Sequence, residues 1–331
     1  MLRLVSGLLT LAVSSALLMA ARSTPPSAAG DTSFTLGMLR RDGVIIPFAN
    51  YRNGRWSNSW PEPGVRRDIP ISVTDVPKGW WRESTPAGTW TAWPIGGASR
   101  TVQVRHLVNL MAQCQNHIGL QTDYLSAEPP VPPKMQPFPK DGLATTGNVR
   151  IEPVDILDDQ SPDWKQTLDI VSGAVSDGET RFMDQAAVKW THPFGPQQRA
   201  RVPLTLEVLF RSEGPKPGSL LYYFESIKRY PHKPGVPGWA LAKQGCDLLT
   251  YALGWVTKEP GATPKPNVTV DMTDCNRDGL VYTMPLGLLR LEGKMYWVVQ
   301  RSAWDYERYD VLEIGTPRFK TALETPGGVC Q

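Results

Sequence analysis

The stretch Val202–Tyr230, VPLTLEVLFRSEGPKPGSLLYYFESIKRY, decides the fold. Val202 to Arg211 and Leu220 to Tyr230 are short apolar runs. Between them, Glu213-Gly214-Pro215-Lys216-Pro217-Gly218 sets prolines and glycines where regular structure cannot continue. Two such runs around a turn cluster read as an antiparallel hairpin. Toward the C-terminus the pattern recurs in Leu248 to Thr257, Asn267 to Met272, Leu280 to Met284, Met295 to Arg301 and Tyr309 to Ile314. About seven short strands separated by turn signals predict antiparallel sheets packed as a sandwich.

Upstream lies the one helix that the sequence predicts, near 162–176. Ser161 supplies an N-cap, Pro162 the first helical position and Asp163 an early acid. Trp164, Leu168, Val171 and Val175 then fall on one face of a 3.6-residue period, and Asp177-Gly178 is expected to end it. Farther back, six prolines fall between Pro129 and Pro139. Each fixes φ and removes a donor, so residues 126–142 read as an extended connector. It divides a Trp/Pro-rich β segment, 30–125, from the sandwich-like segment, 143–331. In the first segment Phe34 to Arg40 and Val44 to Tyr51 flank Asp42-Gly43, a type I′ hairpin signal that Asn53-Gly54 repeats. Thr101 to Arg105 alternates like a half-buried strand.

One echo suggests a different fold. Leu36 to Gly43 resembles Leu286 to Gly293, both strand-plus-turn units. As blades of a ring they would give a β-propeller, the alternative architecture.

The 331 residues carry a net charge of +3, which argues against a dedicated nucleic-acid binder and an acidic solvating tail. The first 29 residues read as an export signal. Arg3 gives a positive start, Leu4 to Ala20 is apolar or small, and small residues permit cleavage within 20–29. The apolar run is diluted by Gly7, Thr10 and three serines, too weak for a bilayer that needs ~20 strongly apolar residues. No later stretch approaches that length, so the mature chain is expected to be soluble, without a transmembrane segment, and periplasmic or extracellular. Cys114, Cys246, Cys275 and Cys330 are then an even set in a disulfide-permitting compartment. Cys246 with Cys275 is the favoured pair, leaving Cys114 with Cys330; free buried thiols are the rival reading.

Signatures of known chemistry are absent: no H-E-x-x-H, Walker A loop, G-x-G-x-x-G or G-x-S-x-G. Asp274, Asn276 and Asp278, with Gly279, match the first half of a calcium loop, but Pro285 stands where its bidentate glutamate belongs. A hairpin turn tipped by Asp278-Gly279 explains the same residues. Six tryptophans lie between Trp56 and Trp93. Trp80, Trp81, Trp90 and Trp93 are the candidate ligand platforms, and filling a Pro-rich core is the competing use. Asp305 and Glu307 sit in a mixed acidic and aromatic stretch, read as a charged edge strand. These features predict an exported, non-catalytic β-rich protein that binds carbohydrate or another envelope component. A secreted carbohydrate-active hydrolase is the alternative.

Overall fold

The computed structural model describes residues 33–58, 71–72, 88–112, 114–129, 140–185, 192–232, 246–277, 279–315 and 319–329. Six antiparallel strands close on themselves: β1 (Phe34–Arg40), β2 (Val44–Arg52), β4 (Thr89–Pro94), β5 (Arg100–Ala112), β6 (Gln115–Thr122) and β7 (Lys140–Thr145), with β3 (Arg55–Ser57) extending β2. The order β1-β7-β4-β5-β6-β2 returns to β1 because β1 pairs with both β7 and β2. Closure leaves the ring without an open edge, the usual liability of an antiparallel sheet. Every barrel strand sends residues into one apolar cluster, among them Leu39, Ile45, Trp90, Val102, Leu120 and Ala144. That shared cluster is the barrel interior. β7 follows the proline-rich stretch yet joins β1 and β4, so the barrel draws on both sides of it.

The rest forms two stacked antiparallel sheets. One is β8 (Asp155–Leu157), β9 (Thr205–Glu213), β10 (Leu220–Tyr230), β11 (Leu248–Lys258) and β12 (Lys265–Asp274), in the order β12-β11-β10-β9-β8. The other is β13 (Tyr282–Leu291), β14 (Lys294–Ser302), β15 (Tyr306–Ile314) and β16 (Phe319–Val329), in sequence order. The decisive hairpin is β9–β10, paired from Leu220↔Glu213 onward. Alternation along β10 explains the stacking. Leu221 and Tyr223 pack on Trp297 and Leu312 of the four-stranded sheet, while Tyr222 and Phe224 pack under helix α1 (Pro162–Gln185). β14 is likewise covered on both faces. Met295, Trp297 and Val299 meet β10, whereas Tyr296 and Val298 meet Leu36, Met38 and Phe48 of the barrel wall. The layers therefore run helix, five-stranded sheet, four-stranded sheet, barrel.

The propeller is excluded, because the echoing segments belong to a barrel and a sheet that share one core, with Leu36 and Met38 against Leu286 and Leu289. Their likeness is local: Gly37 and Gly287 each sit at a β-bulge. Asp42-Gly43 is not type I′. Only Gly43 has positive φ, +81°, and its N–H donates to the Arg40 carbonyl at 3.0 Å, which marks a three-residue loop with a glycine bulge. At Asn53-Gly54 both residues are left-handed, as type I′ requires. Helix α1 begins as expected, the Asp163 N–H donating to Ser161 Oγ at 3.3 Å, but it runs on through Asp177-Gly178. Gly178 faces β12, where an added Cβ would lie 2.4 Å from Val270 Cγ2, so close approach to the sheet selects this glycine. A second short helix, α2 (Pro196–Arg201), was not foreseen.

Candidate functional site

Loop Pro94–Ser99, which joins β4 to β5, is the dividing wall between two hollows. The Gly97 N–H donates to the Pro94 carbonyl at 3.2 Å, Gly96 takes φ +68°, and the Ile95 N–H is held by the Asp141 carbonyl at 2.7 Å. On one side lies a hollow of about 490 Å³ lined by Trp93, Arg150, Glu152, Pro153 and Pro285. On the other lies one of about 740 Å³ bordered by Arg41, Arg100, Tyr124, Asp141, Ile156 and Met284. Both volumes suit a small ligand, whose pockets run to about 300–1,000 Å³.

Most charges here are already paired. The Tyr124 hydroxyl donates to Asp141 Oδ2 at 2.9 Å, and Arg41 Nε stands 3.4 Å from Asp141 Oδ1. Burial, reinforced by Asp141, pushes the Tyr124 phenol up to about 12. Arg41 also reaches Glu128 at 3.8 Å. Glu152, which lines the smaller hollow, accepts from Arg290 Nε at both oxygens, at 3.2 and 3.1 Å. Lys140, at the edge of the larger hollow, places Nζ 2.9 Å from Glu307 Oε1. Arg100 differs. Its guanidinium carbon lies 4.1 Å from the Tyr124 ring centroid and it donates to the Leu125 carbonyl, yet no carboxylate among the described residues pairs with it.

The predicted site residues are scattered. Trp90 is buried inside the barrel. Trp93 walls the smaller hollow and donates its indole N–H to Thr145 Oγ1 at 3.0 Å. Trp80 and Trp81 lie outside the described residues, as do Asp278, Cys330 and residues 1–29. Asp274 is buried and its Oδ1 accepts the Asn276 N–H at 2.9 Å. Between these positions and Gly279, Arg277 makes a forked pair with Glu207 at 2.6 and 2.9 Å. This segment is not the expected hairpin tip, because β12 and β13 belong to different sheets and the chain crosses between them. Among the described residues no three His, Cys, Asp or Glu gather closely enough to hold a metal ion. Cys246 and Cys275 form a disulfide just beyond the terminal β11–β12 pair, Leu248↔Asp274. Cys114 is also disulfide-bonded, so the described cysteines include no free thiol.

The acidic stretch is not an edge either. β15 lies between β14 and β16, with Glu307 buried against Lys140 and Asp310 buried against Arg301 at 2.7 Å and Arg308 at 2.9 Å. A second buried group joins α1 to β10. Glu179 accepts from Lys228 at 2.9 Å and Tyr230 at 2.6 Å, beside His192. Burial first, then Arg199, lowers His192 to about 4. Between the stacked sheets, Glu225 accepts the Tyr223 hydroxyl at 2.8 Å and the Thr283 N–H at 2.7 Å, and burial raises its carboxyl above the usual range. Sequence reasoning missed these groups. Their one signal was a charge inside an apolar run, as in Tyr222-Tyr223-Phe224-Glu225-Ser226-Ile227-Lys228, which a strand covered on both faces must pair.

No protein-family model matches the chain, and no curated protein or solved structure matches it.

Proposed function

We propose that the chain is an exported, non-catalytic binding protein that holds an envelope-associated component at the hollows beside loop Pro94–Ser99. The observation that carries the reading is the state of the charges there. Asp141 and Glu152 are tied to Arg41, Tyr124 and Arg290, while Arg100 lacks an acidic partner among the described residues. Catalytic acids and bases need tuned, accessible protons, whereas binding sites need fixed donors on an apolar wall. Export is supported by the leader at 1–29 and by the Cys246–Cys275 disulfide, of a kind that persists in oxidising compartments. No helix among the described residues is long and apolar enough to cross a membrane.

The test is fractionation of a bacterial host expressing the full chain. Recovery in the osmotic-shock fluid or the medium supports the reading, and retention in the cytosol overturns it.

A further inference from the structure

We infer that the larger hollow binds an amphiphilic anion, a small molecule with one acidic head group on an apolar chain. The inference names the ligand class of the proposed site and rests on that reading. Arg100 is its anchor. A guanidinium carries five donors in a planar fork that matches carboxylate and phosphate oxygens. Here it is held in place by stacking 4.1 Å from the Tyr124 ring centroid and by the Leu125 carbonyl. Its neighbours are neutralised differently. Arg41 answers to Asp141 and Glu128, and Lys140 to Glu307, but no carboxylate among the described residues answers to Arg100. Arg100 is solvent-exposed at the rim of the hollow, and a guanidinium held there against an aromatic ring can receive an anion with its remaining donors.

The surroundings supply the second half of the ligand. Among the described residues, Met111, Leu125, Ile156, Trp304 and Val329 are the large apolar side chains left exposed. One of them belongs to this place: Ile156, 61% exposed, lines the hollow. Ile95 and Met284 continue the apolar lining. Exposed Ile156 with half-buried Ile95 and Met284 gives the hollow an apolar wall, the usual lining of a small-ligand site. A wholly polar anion would leave that surface wet, and a neutral apolar molecule would leave the guanidinium unanswered.

Calorimetric titration of the full chain with decanoate, decyl phosphate and decanol, each below its micelle concentration, tests the assignment. One molecule of either anion is expected per chain, with decanol weaker by at least about tenfold, the worth of one charge-assisted hydrogen bond. Arg100→Gln should lose a similar factor and Arg100→Lys less. Glu128→Gln, which removes a negative charge from the lip, should tighten anion binding. Arg105→Gln is the control, since exposed Arg105 pairs with Asp123 and is not among the lining residues. The relative strength of the two anions tells carboxylate from phosphate. Failure of both anions to bind, decanol binding as tightly as the anions, or full affinity in Arg100→Gln overturns the assignment. Should Arg100→Gln not fold, the decanol comparison and Glu128→Gln decide it. Cytosolic retention would defeat export while leaving these titrations intact.

Discussion

Lys140 and Glu307 meet 2.9 Å apart with side chains 2% and 1% exposed, joining the barrel strand β7 to the sheet strand β15. Glu307 also accepts from Gln300 at 3.2 Å and from the Tyr309 hydroxyl, so its oxygens are well supplied in a dry interface. Burial lowers the Lys140 ammonium from its ordinary range, while Glu307 pulls the other way. Breaking a buried pair costs more than the pair is worth, because the orphaned charge stays behind. Lys140→Met should therefore destabilise by about 3–5 kcal/mol in urea unfolding, and adding Glu307→Gln should recover a large part of that. A single variant within about 1 kcal/mol of the parent would show that the pair does not join the layers.

Gly178 offers an inverted helix test. In an exposed helix interior Gly→Ala stabilises by about 1 kcal/mol. Here the added methyl meets Val270 Cγ2 at 2.4 Å, so Gly178→Ala should destabilise by about 1–3 kcal/mol. Gly173, also in α1, has nothing within 4 Å of its virtual Cβ, and Gly173→Ala should stabilise. Thermal melts of the two variants moving the same way would contradict the packing of α1 on β12.

Acid stability should depend on His192. Its folded value near 4 lies below the ordinary 6.5, so the unfolded chain takes up the proton first as pH falls. Stability is present above about pH 6.5 and is lost as pH falls toward 4, amounting to roughly 2–3 kcal/mol at pH 4.5. The groups that face it are Glu179 and Lys228, with Arg199 and Tyr230. Urea midpoints at pH 7 and 4.5 should separate less in His192→Gln than in the parent. An equal loss in both would assign the acid sensitivity elsewhere.

Local chemistry explains what was legible. Ser161-Pro162 starts the helix because capping acts within one turn, and the β9–β10 hairpin is announced by two prolines and two glycines in its loop. Closure of the barrel was not legible. It depends on Leu36 to Arg40 pairing with Lys140 to Thr145, about a hundred residues apart, and no periodicity encodes that register. The charges of β15 misled for a related reason. Glu307 and Asp310 look solvent-facing until Lys140 of β7 and Arg301 of β14 are brought to them. The larger hollow is equally non-local, since Arg41, Arg100, Tyr124 and Asp141 come from four separate places in the chain.

The most direct measurement is non-reducing peptide mapping, by mass spectrometry, of the chain recovered from the compartment where it accumulates. An exported chain should show a first residue between 21 and 30 and a linked peptide pair carrying Cys246 and Cys275. A chain still bearing Met1, with both cysteines open to alkylation, would contradict it.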